Sequence, residues 1–250
     1  MSKHAFQPLD ARTLRQGVTE AIRQVILAGE LLPGDQVNQA QIAEQLGVSR
    51  GPVREALGQL EEEGLIRNIP YKGTFVTAIT ADYISELYSI RRVLETFAVR
   101  LAAEHATLED LDELRTVIRQ MHAAAEADDM ARMSTLDIEF HSLLCRSSHH
   151  VLLMQIWKSI EIGVRRCLAL RHRIYRSPYD VIGTHPHILA ALEAHDAERA
   201  SSILDTHIAE AGDLLYRSWA AAAEAKAAEA KVAEPAGAGE ASGVPHGSTP

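Results

Sequence analysis

Two arginines, and a scattered set of one aspartate and three histidines, are the residues of this sequence best suited to chemistry. Arg50 and Arg54 lie four apart, so on a helix they share one face. Ser49 precedes them, and Gly47 interrupts the helical pattern just before. Arginines at the exposed start of a helix, where the backbone adds partial positive charge, suit the major groove of DNA. There a guanidinium can pair with guanine O6 and N7 or clamp a phosphate. Asp137 and His141 also lie four apart, while Ile138 and Glu139 between them point elsewhere. His185 falls near the start of a later helix, and His207 sits between Leu204 and Ile208 in the final long one. One carboxylate and three imidazoles converging from three helices could hold Zn, Ni, Mn or Fe with coordination positions left open. By spacing alone, histidines satisfied within a core fit as well, and the twelve histidines of the chain make chance placement a competitor.

These groups need elements to position them. Leu14, Val18, Ile22, Val25 and Ile26 recur at helical spacing, and Gly29 with Leu32-Pro33-Gly34-Asp35 ends that helix. A short helix runs over about Gln39–Leu46, and Gly47 permits a left-handed turn. Ser49 can cap a third helix, with Pro52 tolerated in its first turn and Gly64 at its end. Ala43 is small where the second and third helices cross, and Val48, Val53, Leu57 and Leu60 face the first helix. Ser49, Arg50 and Arg54 are left outward. Leu65, Ile66, Ile69 and Thr74-Phe75-Val76-Thr77 then flank Tyr71-Lys72-Gly73, which reads as a β-hairpin whose turn can approach a groove or phosphate through Lys72 and Gly73.

After Thr80 the pattern is helical only. Thr80 can cap a helix reaching about Glu104, and Thr107-Leu108-Glu109-Asp110 resembles a capping box. The periodicity runs past Trp219, with breaks near 128, 147–150, 176–179 and 196. The fold expected is mainly α: a winged helix-turn-helix over 11–78 (three helices plus a β-hairpin), then an all-α bundle over 80–220. A tail over 221–250 is Ala/Glu/Lys-rich and then Gly/Ser/Pro-rich, with disorder expected at its end. Net charge is −9 over 250 residues, so any contact with nucleic acid rests on local positive charge. No apolar run is long enough to cross a membrane or resembles a signal peptide, and Cys145 and Cys167 lack metal-type spacing. A cytoplasmic protein with two buried thiols is the expectation.

Residues 12–77 resemble the winged-helix domain of GntR-family bacterial regulators. The likeness is carried by Leu32-Pro33-Gly34-Asp35, Val48-Ser49-Arg50, Pro52-Val53-Arg54-Glu55-Ala56-Leu57, Leu60-Glu61-Glu62-Glu63-Gly64-Leu65-Ile66 and Gly73-Thr74-Phe75-Val76. It implies DNA contacts at Ser49, Arg50, Arg54 and Gly73. Gly51 stands where the family usually has a polar residue, and Ala40 where some relatives place an arginine. Residues 80–217 resemble the helical FCD domain of the FadR-type branch. This likeness rests on Leu87-Tyr88-Ser89-Ile90-Arg91-Arg92-Val93-Leu94-Glu95, Leu101-Ala102-Ala103, Asp137-Ile138-Glu139-Phe140-His141, His185-Pro186-His187-Ile188-Leu189-Ala190-Ala191-Leu192 and His207. It implies a divalent metal on Asp137, His141, His185 and His207, and a small organic acid held there with help from Arg91. Read by itself, Arg91 also suits an ion pair with Glu95, four residues on. Thr184 stands where Glu is common and His149 where many relatives have Asn. The basic run Arg165, Arg166, Arg171, His172, Arg173 and Arg176 could extend an anion site, but fits a solvated face or subunit contact better.

The expected protein is thus a homodimeric transcriptional regulator, a repressor rather than an enzyme, binding double-stranded operator DNA under control of a small carboxylate. A metal-dependent enzyme or a direct metal sensor could use the same cluster. A winged helix used for protein contacts is the other alternative.

Overall fold

A computed structural model of the chain describes residues 11–169 and 174–233. The arm over 1–10, the basic residues Arg171, His172 and Arg173, and the tail from 234 lie outside the described residues.

The N-terminal unit holds α1 (Ala11–Leu27), β1 (Gln36–Val37), α2 (Gln39–Gln45), α3 (Arg50–Glu62), β2 (Ile66–Ile69) and β3 (Gly73–Val76). Val18, Ile22 and Ile26 of α1 meet Val53, Ala56, Leu57 and Leu60 of α3 in a core closed by Val37, Ala43, Leu65, Ile66 and Val76. Gly47 takes the left-handed backbone that the α2–α3 turn needs, at φ +65°. The strands form an antiparallel sheet in the order β1-β3-β2, with Ile69 opposite Gly73 and Ile66 opposite Val76. The sequence pattern gives only the β2–β3 hairpin. β1 is two residues long, too short to show an alternating pattern, and it forms because Gln36 and Val37 find Phe75 and Thr74 on the open edge of β3.

The C-terminal unit is helical: α4 (Ala81–His105), α5 (Leu108–Glu126), α6 (Met130–Arg146), α7 (Val151–Ala169), α8 (Tyr179–Ile182), α9 (His185–Glu193) and α10 (Ala197–Ala233). Thr80 Oγ1 accepts from the Tyr83 N–H at the start of α4, and Thr107 and Asp110 complete a reciprocal capping box on α5. The core runs through Leu114, Met121, Met133, Leu136, Phe140, Trp157, Ile188 and Leu204. α4 and α10 lie against each other along much of their length. Gly212 allows this, because a Cβ there would come within 2.9 Å of the Tyr88 ring. α10 continues beyond residue 220, where the composition marks a tail, since Ala, Glu and Lys are strong helix formers. No helix among the described residues is long and apolar enough to cross a membrane. Both cysteines are buried and free, and burial pushes both thiols up, Cys167 to about 11.

Candidate metal centre and nucleic-acid interface

Helix α3 presents the two arginines outward. Ser49 is its N-cap residue in extended backbone, but its side chain makes no capping hydrogen bond, so the hydroxyl is free for other partners. The first turn is held instead by Gln39, whose Nε2 donates to the Arg50 carbonyl over 2.8 Å and ties α2 to α3. Arg50 and Arg54 are exposed one turn apart. Packing does not demand glycine at 51: an added Cβ would meet only Ser49 Oγ, at 3.9 Å. At the wing tip Lys72 is exposed and Gly73 adopts φ +109°, with Gln36 Nε2 donating to the Lys72 carbonyl beneath it. Tyr71 also has positive φ and is fully exposed.

The four candidate metal ligands come from three helices. Asp137 and His141 stand one turn apart on α6, His185 opens α9, and His207 lies on α10. One ligand atom from each falls within 4.8 Å of all the others. Asp137, His141 and His185 are fully buried and His207 partly so. The His141 and His207 rings stack at 5.4 Å, and His185 meets His207 edge-on at 4.8 Å. His185 Nε2 lies 3.1 Å from Asp137 Oδ1.

Outer partners orient these rings. His141 Nδ1 meets Glu95 Oε2, and His207 Nδ1 lies 2.6 Å from Thr184 Oγ1. With Nδ1–H donated outward in each ring, the Nε2 lone pairs turn toward the cluster. His141 Nε2 and His185 Nδ1 are buried without a hydrogen-bond partner. Burial pushes His141 and His207 down; at His207 the neighbouring imidazoles add to this, and at His141 Glu95 opposes it only in part. Neutral imidazoles beside a carboxylate, with a buried ring nitrogen unsatisfied, are what a divalent cation of the Zn, Ni, Mn or Fe type requires.

Of the two roles open to Arg91 in the sequence, the structure shows the ion pair. It pairs with Glu95, but the pair is wholly buried, and Arg91 Nη2 has no hydrogen-bond partner. Its guanidinium carbon lies 5.3 Å from the Tyr88 ring centroid. Glu95 is thus shared between Arg91 and His141. Burial pushes its carboxyl up, and the charge of Arg91 with the hydrogen bonds to Arg91 and His141 outweighs this and holds it below the usual range. Sequence reasoning missed Glu95 as a site residue. The i, i+4 spacing to Arg91 was visible, but the reach across to α6 was not. Thr184 was visible only as a departure from the family, and here it supports His207.

Among the described residues, the members of the basic run do not share one surface. Arg165 pairs with Glu161 and Arg176 is exposed. Arg166 is buried and donates to the Thr77 carbonyl, with Gly64 O at 3.4 Å. It therefore serves neither an anion site nor a solvated face. It joins α7 to the chain just after α3 and to the end of the wing. Ile162 of α7 packs on the N-terminal core, and Trp219 Nε1 of α10 donates to Ile79 O in the connection between the units over 2.7 Å. Elsewhere α1 stands off from α6 and α7 across a cleft of about 820 Å³. His149 bonds Asp110 of the capping box and His187 is exposed, so both are helix-end or surface groups.

Comparison with known proteins matches residues 14–76 to the family described as bacterial regulatory proteins, gntR family, and residues 86–210 to the FCD domain. The chain is 32% identical to a probable D-xylose utilization operon transcriptional repressor of Paenarthrobacter nicotinovorans, over 80% of this chain and 88% of the relative. It is 31% identical to the Nta operon transcriptional regulator of Aminobacter aminovorans, over 70% and 82%. Among solved structures it resembles E. coli McbR/YncC, with a TM-score of 0.72 and 27% identity, covering 82% of this chain and 98% of that one.

Proposed function

This chain belongs to the gntR family of bacterial regulatory proteins and is a transcriptional regulator with an FCD domain, and we propose that a small carboxylate at its metal centre controls its grip on DNA. The carrying observation is the convergence of Asp137, His141, His185 and His207 within 4.8 Å, beside a buried arginine with an unpaired Nη2. The four side chains would hold a divalent metal and leave coordination positions open. A bound metal supplies a Lewis acid for a carboxylate oxygen, and Arg91 supplies a hydrogen bond for the same anion. The DNA side rests on Ser49, Arg50 and Arg54 of α3 and on Lys72 and Gly73 of the wing. Two copies would read a two-fold operator, each placing one α3 in the major groove, and the chain would act as a repressor.

A carboxylate that favours one arrangement of the two units shifts the population competent for DNA. Arg166 and Trp219 give that shift a physical route, because they tie α7 and α10, the latter carrying His207, to the end of the reader. The test is operator titration by the metal-loaded protein at fixed salt, with and without a panel of small organic acids. Release or tightening by an acid, lost in Arg91→Ala, supports the reading. A response to metal alone would make the protein a direct metal sensor. Arg50→Ala with Arg54→Ala should abolish specific binding while metal content stays intact; unchanged binding would remove α3 as the reading helix.

A further inference from the structure

We propose that Tyr71, at the tip of the wing, reads the minor groove beside the α3 contact and favours A·T pairs there. The inference rests on the DNA reading above and adds a residue and a base preference that Lys72 and Gly73 do not supply. The turn joining β2 to β3 is fixed by its own chemistry. The Lys72 N–H donates to the Ile69 carbonyl over 3.0 Å, Pro70 follows Ile69, and Tyr71 has φ +63°. A bonded four-residue turn with proline second and a left-handed third residue is a type II turn. Its third position favours glycine or asparagine, because a Cβ crowds the backbone when φ is positive. A bulky aromatic is poorly suited to it.

Packing does not explain the tyrosine. Its side chain is fully exposed, so no contact among the described residues offsets the strain of its backbone. The turn beneath it is firm. Ile69 faces Gly73 in the sheet, and Gln36 Nε2 of β1 donates to the Lys72 carbonyl over 3.3 Å. A Cβ on Gly73 would come within 2.9 Å of that Nε2. The ring therefore projects from a buttressed tip. Strained backbone held in place by its surroundings, with the side chain aimed outward, is the pattern of a residue kept for a ligand.

What stands beside the ring makes that ligand DNA. Lys72, the next residue, is exposed, and Arg50 and Arg54 point outward from α3 of the same small unit. With α3 in the major groove, the hairpin that follows it flanks the sugar-phosphate backbone and the adjacent minor groove, and Lys72 can take a phosphate. The minor groove is about 6 Å wide, enough for an aromatic ring edge-on and too narrow for a helix. For A·T and T·A alike its floor shows acceptors, adenine N3 and thymine O2, which the Tyr71 hydroxyl can meet as a donor. In G·C pairs the guanine N2 amino group stands up from the floor and obstructs that approach. A·T runs also narrow the groove and deepen its negative potential, which draws Lys72 to the same place. Tyr71 is uncharged, so it adds base preference where Lys72 adds salt-sensitive affinity.

The test uses the full metal-loaded chain and a pool of random-sequence duplexes. Wild type should select a core sequence flanked by A·T pairs. Tyr71→Gly should select the same core without the flanking preference, and bind the wild-type duplex about 5-fold or more weakly at fixed salt. Its slope of log affinity against log salt should match wild type, whereas Lys72→Ala should flatten that slope. Tyr71→Gly should also melt no lower than wild type, since glycine suits the turn. Equal affinity and an unchanged flank in Tyr71→Gly overturn the proposal and leave the ring to a protein partner. Weaker binding accompanied by a lower melting temperature makes Tyr71 a structural residue of the wing and overturns it as well. A wild type that selects no core sequence overturns the DNA reading itself.

Discussion

Replacing Glu95 by glutamine keeps the shape of the side chain and removes its charge. Glu95 is fully buried, accepts from Arg91 Nε and meets His141 Nδ1. With glutamine there, Arg91 is a buried cation without its counter-ion. Breaking one side of a buried pair costs about 3–5 kcal/mol. For a chain of this size each kcal/mol lowers Tm by about 2–4 °C, so metal-free E95Q should melt roughly 6–20 °C below wild type. A second loss falls on the metal centre, because His141 no longer has an anionic acceptor to hold its Nδ1–H outward. Removing such an outer partner weakens metal binding about 10–100-fold. Calorimetric melting in chelator, followed by Zn competition against a chromophoric chelator, reads the two effects separately. A small carboxylate added to metal-loaded E95Q should recover part of the lost stability by giving Arg91 a new anion. An E95Q protein that melts with wild type and holds Zn as tightly would refute the reasoning.

Arg166→Met keeps the length of the side chain and removes its donors to Thr77 and Gly64; it should leave metal content unchanged but shrink the acid-dependent change in operator affinity, from the 5–150-fold range usual for such coupling toward unity, as read by DNA titration with and without acid. At Asp110, burial pushes the carboxyl up, but the Thr107 hydroxyl and N–H and His149 outweigh it and hold it below the usual range. A lowered folded value means the capping box stabilises above the unfolded aspartate value of about 3.9 and is lost as pH falls through the folded one; urea unfolding should show Asp110→Asn less stable than wild type at neutral pH, with the gap closing in acid. Gly212→Ala should destabilise by about 1–3 kcal/mol, less the helix propensity gained, because the new methyl pushes on Tyr88; a more stable variant by thermal melting would show that α4 and α10 can move apart freely.

The reader was legible in the sequence because its signals are local. The apolar spacing of α1, Gly47 at the turn, the Ser49 boundary and the paired arginines of α3 all lie within a few turns of one another. The same holds for the Thr80 cap and the Thr107–Asp110 box, where donor and acceptor are three residues apart. Asp137 and His141 could be placed on one face for the same reason; His185 and His207 were candidates from their places in later helices, and resemblance to a family strengthened the set. Spacing alone could not separate these histidines from core histidines.

What tertiary structure decided lies between elements. β1 exists because β3 has an open edge, not because two residues form a strand alone. Glu95 reads as the partner of Arg91 until α4 and α6 pack and bring it to His141, 46 residues away. Arg166 reads as part of a basic run until α7 docks on the reader and buries it against backbone carbonyls. Helical periodicity fixes which side of a helix a residue faces. Which neighbour it then meets depends on crossing angles and on contacts distant in sequence, and no stretch of the chain carries those by itself.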